Sequence, residues 1–282
     1  MKRLLMATDL SPRSDRALDR AVALARGHDA DLCVVHVVDE DLPASVAEAQ
    51  ETAARDVMRA HIDSLNKEAA VPVSIEVVIG RTYVDVLEMA ERIEADLIIL
   101  GTHREDSVMD MFRGTTAERI IRAGDTPVLL VRDRVLAPYR RIMVAVDFSV
   151  YSRRAFEFAT RFDPRAEFHL VHAYEVPFKG FLYGHTTRRE VSKQHERQLQ
   201  SMIEEEMAAF LGTLETKVPR LERVLQEGSP QEVIRRQVTR LKPDLLVLGT
   251  HGRTGVAHAI LGSVAEDLLK APPCDVLAVK AW

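Results

Sequence analysis

The 282-residue chain lacks a long apolar segment. No stretch approaches the roughly 18–20 apolar residues that a membrane-spanning helix needs, which argues against a membrane protein. The apolar run at the N-terminus stops at Thr8 and Asp9, too early for the apolar region of a signal peptide. We therefore expect a cytoplasmic protein that makes no contact with a membrane.

Cysteine is scarce, and neither sign of charge is in large excess. Cys33 and Cys274 lie in apolar runs of different halves without metal-ligand spacing, so we expect buried, reduced thiols. The 38 Lys and Arg and 43 Asp and Glu give a formal net charge of −5. Because no basic field results, nucleic acid is not expected as a partner.

A glycine pattern, by contrast, occurs twice. The complete pattern begins at Gly249 and consists of Gly-x-x-Gly, nine further residues and then Gly-Ser. The same spacing begins at Gly101, except that Arg104 replaces the second glycine and Thr115 replaces the serine. The flanking apolar segments match as well, and self-similarity on this scale indicates a duplicated domain. We predict domains at 1–132 and 140–282, joined by a polar linker at 133–139.

Each half alternates five short apolar runs with amphipathic helical patterns. This alternation predicts two similar doubly wound α/β domains. Each domain would have a parallel sheet with helices on both faces and right-handed crossovers. The third run of each half, 73–79 and 221–225, alternates apolar and polar residues and is expected at a sheet edge. A stripe from Leu199 to Leu214 is interpreted as the sheet-packing face of a helix, with a partner-binding groove as the alternative.

Ligands of such sheets bind beyond the carboxyl ends of the strands. Asp147 follows the first strand of the second half, where it could accept hydrogen bonds from a ribose or an adenine amino group. Gly249 and Gly252 can take positive φ and let the backbone approach a ligand. The helix that begins at Gly262 and Ser263 offers N–H groups and partial positive charge to a phosphate.

The same hydroxyls also fit a structural role. Ser263 and Glu266 have the spacing of a capping box, and so do Thr115 and Glu118. At Ser263, capping and phosphate contact are compatible. At Thr115, capping alone is favoured.

These motifs resemble those of the universal stress protein family: Asp-x-Ser after strand one, His-Val at the end of strand two, and Gly-x-x-Gly-x9-Gly-Ser before the last helix. The resemblance covers almost all of both halves. It implies five-stranded sheets in the order 3-2-1-4-5, with the two domains paired through their fifth strands. It also implies ATP, with Mg²⁺ bound through the phosphates, where the glycine motif is complete.

The resemblance assigns site residues by position. In the second domain they are Asp147 at the adenosine, the backbone of Ala173 at the adenine, and Gly249, Gly252, Gly262, Ser263 and Val264 at the ribose and phosphates. The weaker set in the first domain is Asp9, Val37, Gly101, Gly114 and Thr115. Arg104 would fill space that a phosphate chain uses, although a guanidinium can also bind phosphate. The first domain is therefore expected to be a diverged partner domain.

No Walker lysine, nucleophile-and-base pair or metal-binding cluster is evident, so we assign no catalytic residue and no metal ligand. His103 and His251 are expected to fix their loops, and His36 and His172 to be core histidines. The expected function is an ATP-binding regulator or sensor in a stress response, acting through unidentified protein partners. Slow ATP hydrolysis or adenylyl transfer, and a nucleotide-free interaction scaffold, are the alternatives. Domain pairing within the chain is compatible with a further homodimer.

Overall fold

The computed structural model describes residues 1–65, 71–102, 115–135, 137–176, 186–216, 218–252 and 261–280, with only the backbone at 186–196. In the first half the strands are β1 (Arg3–Thr8), β2 (Asp31–Asp39), β3 (Val73–Gly80), β4 (Leu97–Gly101) and β5 (Val128–Val131), and the helices are α1 (Pro12–His28), α2 (Ala44–Leu65), α3 (Thr82–Arg92) and α4 (Thr116–Ala123). In the second half the strands are β6 (Arg141–Ala145), β7 (Glu167–Tyr174), β8 (Leu221–Glu227), β9 (Leu245–Gly249) and β10 (Asp275–Val279), and the helices are α5 (Val150–Phe162), α6 (Thr186–Gly212), α7 (Pro230–Leu241) and α8 (Ser263–Lys270).

The strands form one ten-stranded sheet in the order β3-β2-β1-β4-β5-β10-β9-β6-β7-β8. Within each half the order is the expected 3-2-1-4-5 and every pairing is parallel. The halves are not separate sheets, because β5 and β10 pair antiparallel, with Leu129 opposite Leu277. This confirms the pairing through fifth strands. The strands with alternating patterns, β3 and β8, form the two edges, as predicted.

Helices cover both faces of the sheet because alternate strand residues point to opposite sides. Leu4 and Met6 of β1 belong to the core under α1, α2, α5 and α6, whereas Leu5 belongs to the core under α3, α4, α7 and α8. The predicted stripe of α6 packs on the sheet through Met207 and Phe210, which confirms it as a core-facing surface.

The two thiols agree with the expectation from the sequence. Cys33 and Cys274 are buried and unpaired. Burial raises the pKa of Cys274 to about 12, so this thiol stays protonated near neutral pH. Among the helices that the structure describes, none has the length and apolar character to cross a bilayer.

The segment that joins the halves is anchored rather than loosely tethered. The backbone N–H groups of Arg132 and Asp133 donate to Asp275 Oδ1 over 2.8 and 3.0 Å. The Tyr139 hydroxyl donates to Asp275 Oδ2 over 2.6 Å. Arg20 of α1 approaches the same carboxylate at 3.6 Å. Asp275 thus joins the first helix, the linker and the last strand.

Candidate functional site

All seven residues assigned to the second-half site surround one cavity of about 270 Å³. The cavity lies at the carboxyl ends of β6, β7 and β9 and against the start of α8. Its walls include apolar side chains of the sheet and of α7 and α8, namely Val171, Ile234, Leu248 and Ala265. The strand order β9-β6-β7 places the cavity where the order of connections reverses, the usual ligand position in an open α/β sheet.

The carboxylate of Asp147 is fixed by the turn that follows β6. Its Oδ1 accepts hydrogen bonds from the Ser149 N–H over 3.0 Å and from the Ser149 hydroxyl over 2.5 Å. Ser149 Oγ also accepts from the Ser152 N–H over 3.2 Å, and so caps α5. One serine therefore orients the carboxylate and begins the helix.

A left-handed residue follows the aspartate in both halves. Phe148 has φ 62° and Leu10 has φ 59°, values that are rare for bulky side chains. The Phe148 ring stacks on His172 at a centroid distance of 4.1 Å, which helps to hold the conformation. Asp-x-Ser is a partial signal of this turn in the sequence, because it favours a turn closed by the aspartate side chain. Strained residues of this kind concentrate at functional sites.

Space, rather than unusual backbone conformation, explains the glycines. Among the described residues the one glycine with positive φ is Gly228, so neither Gly249 nor Gly252 uses the positive φ that glycine permits. A Cβ at position 249 would lie 2.9 Å from the carbonyl carbon of Tyr151, too close for any side chain. A Cβ at position 252 would lie 3.1 Å from Asp147 Oδ2. The first glycine thus permits close helix packing, and the second leaves room beside the carboxylate.

The start of α8 faces the cavity without a side-chain cap. Gly262 is the N-cap residue, with φ −61° and ψ 144°, and its N–H donates to Thr250 O over 2.9 Å. Ser263 is the first helical residue and lines the cavity, so it does not form the capping box. Glu266 instead accepts from Lys270 over 2.7 Å and lies 3.8 Å from Arg122 of α4. The hydrogen bond from Lys270 lowers the pKa of the Glu266 carboxyl.

The corresponding helix of the first half is closed by its own carboxylate. Thr115 is the N-cap of α4, and its hydroxyl accepts from the Glu118 N–H over 3.2 Å. Glu118 Oε2 accepts from the Thr115 N–H over 3.1 Å, and Glu118 is only 1% exposed. This confirms the capping interpretation of Thr115. A buried side-chain carboxyl group occupies the helix N-terminus in the first half.

The first half nevertheless keeps a cavity of about 250 Å³. Asp9, Val37 and Gly101 line it, whereas Thr115 does not. Three residues from the sequence patterns, His103, Arg104 and Gly114, lie outside the described residues. The expected sites are thus similar at the strand ends and different at the helix start.

Asp9 accepts the same backbone hydrogen bond as its counterpart Asp147, but its hydroxyl donor is a different serine. Its Oδ1 accepts from the Ser14 hydroxyl over 2.6 Å and from the Ser11 N–H over 2.9 Å. Burial raises the pKa of Asp9, but hydrogen bonds from Ser11 and Ser14 outweigh it and leave the pKa below its ordinary value. Asp9 is therefore an ionised group at neutral pH.

The histidines hold backbone and loop segments. His36 Nδ1 lies 2.8 Å from Thr8 O and His172 Nδ1 lies 2.8 Å from Val146 O, so each ring ties the second strand of its half to the end of the first. His251 Nδ1 lies 2.9 Å from Thr250 Oγ1, and its ring is 5.1 Å from that of Tyr151. These contacts agree with the expectation of structural histidines.

The two helix starts predict losses of stability of different size when a hydroxyl is removed. Thr115→Ala is expected to lower the free energy of unfolding by about 1 kcal/mol, the usual cost of losing an N-cap side chain. Ser263→Ala is expected to lower it by less than about 0.5 kcal/mol, as for residues without a capping role. Urea denaturation followed by circular dichroism measures both. Equal losses would contradict the difference between the two helix starts.

Comparisons with known proteins agree with the fold. A model of the "Universal stress protein family" matches residues 1–132 and 138–280. Universal stress protein E of Photorhabdus laumondii is 26% identical over 235 residues, which cover 76% of this chain and 70% of that protein. A universal stress protein of Methanocaldococcus jannaschii is 28% identical over 140 residues, 46% of this chain and 82% of that protein. The crystal structure of a universal stress protein from Archaeoglobus fulgidus, 18% identical, shares the fold with a TM-score of 0.71 over 99% of this chain and 98% of that one.

Proposed function

The chain belongs to the universal stress protein family, and we propose that it binds ATP in the second-half cavity and acts as a nucleotide-dependent regulator or sensor in a stress response. The observation that carries the proposal is the convergence of Asp147, Ala173, Gly249, Gly252 and the start of α8 on one cavity. These residues come from four separate elements of the second half. Convergence of this kind supports a ligand site rather than independent structural roles.

Each part of an adenine nucleotide has a suitable environment in this cavity. The apolar walls suit the base, and the Asp147 carboxylate can accept hydrogen bonds from the nucleoside. The uncapped start of α8, with Ser263 as its first residue, suits phosphate oxygens. Mg²⁺ would bind through the phosphates and reduce their charge. The cavity volume of about 270 Å³ lies just below the range of roughly 300–1,000 Å³ for ligand pockets, a size that suits the nucleoside part of ATP.

The first half, proposed as a domain of residues 1–132, is a diverged partner of the ATP-binding domain at 140–282. Its Glu118 carboxylate lies at the N-terminus of α4, the position that a phosphate would need. That carboxyl group is buried and already accepts from the Thr115 N–H, so this backbone donor is not available to a phosphate. We therefore expect the first-half cavity not to take the phosphate chain of ATP.

One observation favours a nucleotide-free scaffold as the second candidate. A Cβ at Gly101 would lie 3.0 Å from the backbone of Arg13, just as one at Gly249 would meet Tyr151. Helix packing alone therefore explains one glycine of each motif. Adenine nucleotide released by heat from freshly purified protein, and identified by chromatography, would rule out this alternative.

A matched pair of variants tests the proposed ATP site. Asp147→Asn is expected to weaken ATP binding by about 10- to 100-fold, because a hydrogen bond to a charged group contributes about 1.5–3 kcal/mol. Asp9→Asn, the same change in the first half, is expected to leave the affinity unchanged. Isothermal titration calorimetry with ATP and Mg²⁺ measures both. Equal weakening by the two variants, or unchanged binding by Asp147→Asn, would refute the assignment.

A further inference from the structure

His169 is a buried polar side chain whose hydrogen-bonding capacity is not used. It lies on β7 and is 2% exposed. Both ring nitrogens are buried, and within the described part of the chain neither makes a hydrogen bond. Buried polar atoms without such a bond are uncommon in folded proteins and call for an explanation.

Two glutamates flank this ring. Glu222 Oε2 lies 3.0 Å from His169 Nδ1, and Glu167 Oε1 lies 3.5 Å from Nε2. Glu222 of β8 is directly opposite His169 in the strand register, and Glu167 precedes it by two residues on the same face. One ligand atom of each residue lies within 4.8 Å of the others. The sequence spacing did not reveal this group, because strand pairing brings Glu222 to it.

The distances suit a cation better than an ion pair alone. Glu222 Oε2 is close to Nδ1, yet its direction does not make a hydrogen bond. Neighbouring ligands of a tetrahedral zinc ion, each about 2.0–2.2 Å from the metal, lie about 3.4 Å from each other. An imidazole gives one nitrogen to a metal ion, so one of the two observed separations, 3.0 Å to Nδ1 or 3.5 Å to Nε2, is a ligand–ligand distance close to that value. The ligand atom of the other glutamate lies within 4.8 Å of the ligating nitrogen.

Charge and accessibility also fit a divalent ion. The two carboxylates would neutralise the two positive charges of such an ion. Arg240 lies 3.8 Å from Glu222 Oε1, and the other oxygen, Oε2, is directed towards the histidine. The glutamate side chains are 46% and 51% exposed, so an ion can enter from solvent. Imidazole together with carboxylate is a ligand set that suits Zn²⁺.

We propose that Glu167, His169 and Glu222 bind Zn²⁺, with the remaining coordination position open to water. The site would lie towards the amino-terminal ends of β7 and β8, away from the nucleotide cavity at their carboxyl ends. It would join the edge strand β8 to its neighbour. The corresponding strand positions in the first half hold Cys33 opposite Ser74, so the site belongs to the second half.

The test is zinc titration of the metal-stripped full-length chain against a chromogenic chelator. We expect one zinc ion per chain and a loss of affinity greater than about 100-fold in Glu222→Gln, since losing even an outer partner of a ligand costs 10- to 100-fold. Glu222 is half-exposed, so Glu222→Gln should fold normally. His169 is buried, so His169→Gln could fail to fold and is not used as the test. Cobalt(II) in place of zinc gives a visible absorption band that is expected to disappear in Glu222→Gln.

A matched histidine provides the control. His61 also lies between two carboxylates, 3.3 Å from Asp15 and 3.5 Å from Asp19, but it is more exposed. His61→Gln is expected to keep the full affinity for zinc. The proposal is overturned if the chain binds no zinc at micromolar concentrations, or if His61→Gln removes the binding while Glu222→Gln does not.

Discussion

Replacing Asp275 with alanine is expected to lower the free energy of unfolding by about 3–5 kcal/mol, the cost of leaving a buried charge without its partner. Asp275 is 1% exposed, and Arg20, whose side chain is 6% exposed, lies 3.6 Å from it. The same carboxylate accepts from the Tyr139 hydroxyl and from two backbone N–H groups of the linker. Urea denaturation measures the loss.

Two further variants separate the parts of this network. Tyr139→Phe removes one hydrogen bond and is expected to cost about 1–2 kcal/mol. Asp244 also accepts from two backbone N–H groups, at 2.8 Å each, but is exposed, so Asp244→Ala should cost less than Asp275→Ala. Limited proteolysis between 133 and 139 should be faster in Asp275→Ala. Similar losses for the two aspartates would contradict a special role of the buried one.

Gly252→Arg is expected to weaken ATP binding by more than about 100-fold, equivalent to about 2.8 kcal/mol. A Cβ at this position would lie 3.1 Å from Asp147 Oδ2, and the guanidinium would then pair with the carboxylate that the nucleoside is proposed to use. The backbone of Gly252 does not have positive φ, so the variant should fold normally. Calorimetry with ATP measures the affinity, and circular dichroism checks the fold.

A graded substitution and a reciprocal one sharpen this test. Gly252→Ala adds only the Cβ and is expected to cause a smaller loss than arginine. Arg104→Gly completes the glycine pattern of the first half, yet it should create no second ATP site because Glu118 still occupies the start of α4. Wild-type affinity in Gly252→Arg would refute the proposed position of the nucleotide.

Local patterns in the sequence predicted most of the fold. Apolar runs located the strands, alternation located the edges β3 and β8, and Ser11 before Pro12 located the start of α1, where its hydroxyl accepts from the Ser14 N–H. These predictions succeed because burial and capping act over a few residues. The convergence on Asp147 followed from the rule for strand ends in parallel sheets.

Contacts between distant segments were not predictable in this way. Ser263 and Thr115 have the same capping pattern, but the N-cap residue of α8 is Gly262 rather than Ser263. Glu266 instead accepts from Lys270 and lies 3.8 Å from Arg122. Arg122 comes from the other half of the chain, so no local rule could identify it. The strand register likewise brings Glu222 to Glu167 and His169. The burial of Asp275 depends on the β5–β10 junction.

That junction has an evolutionary consequence. When two identical subunits meet at a two-fold axis, every substitution occurs at both symmetry-related positions, so a change that helps one site alters the other as well. Here β5 and β10 make the same kind of contact within one polypeptide. Each substitution therefore occurs once. Covalent fusion of the repeats allows Glu118 to close one helix start while Glu266 leaves the other open, an asymmetry that a homodimer of single domains could not encode.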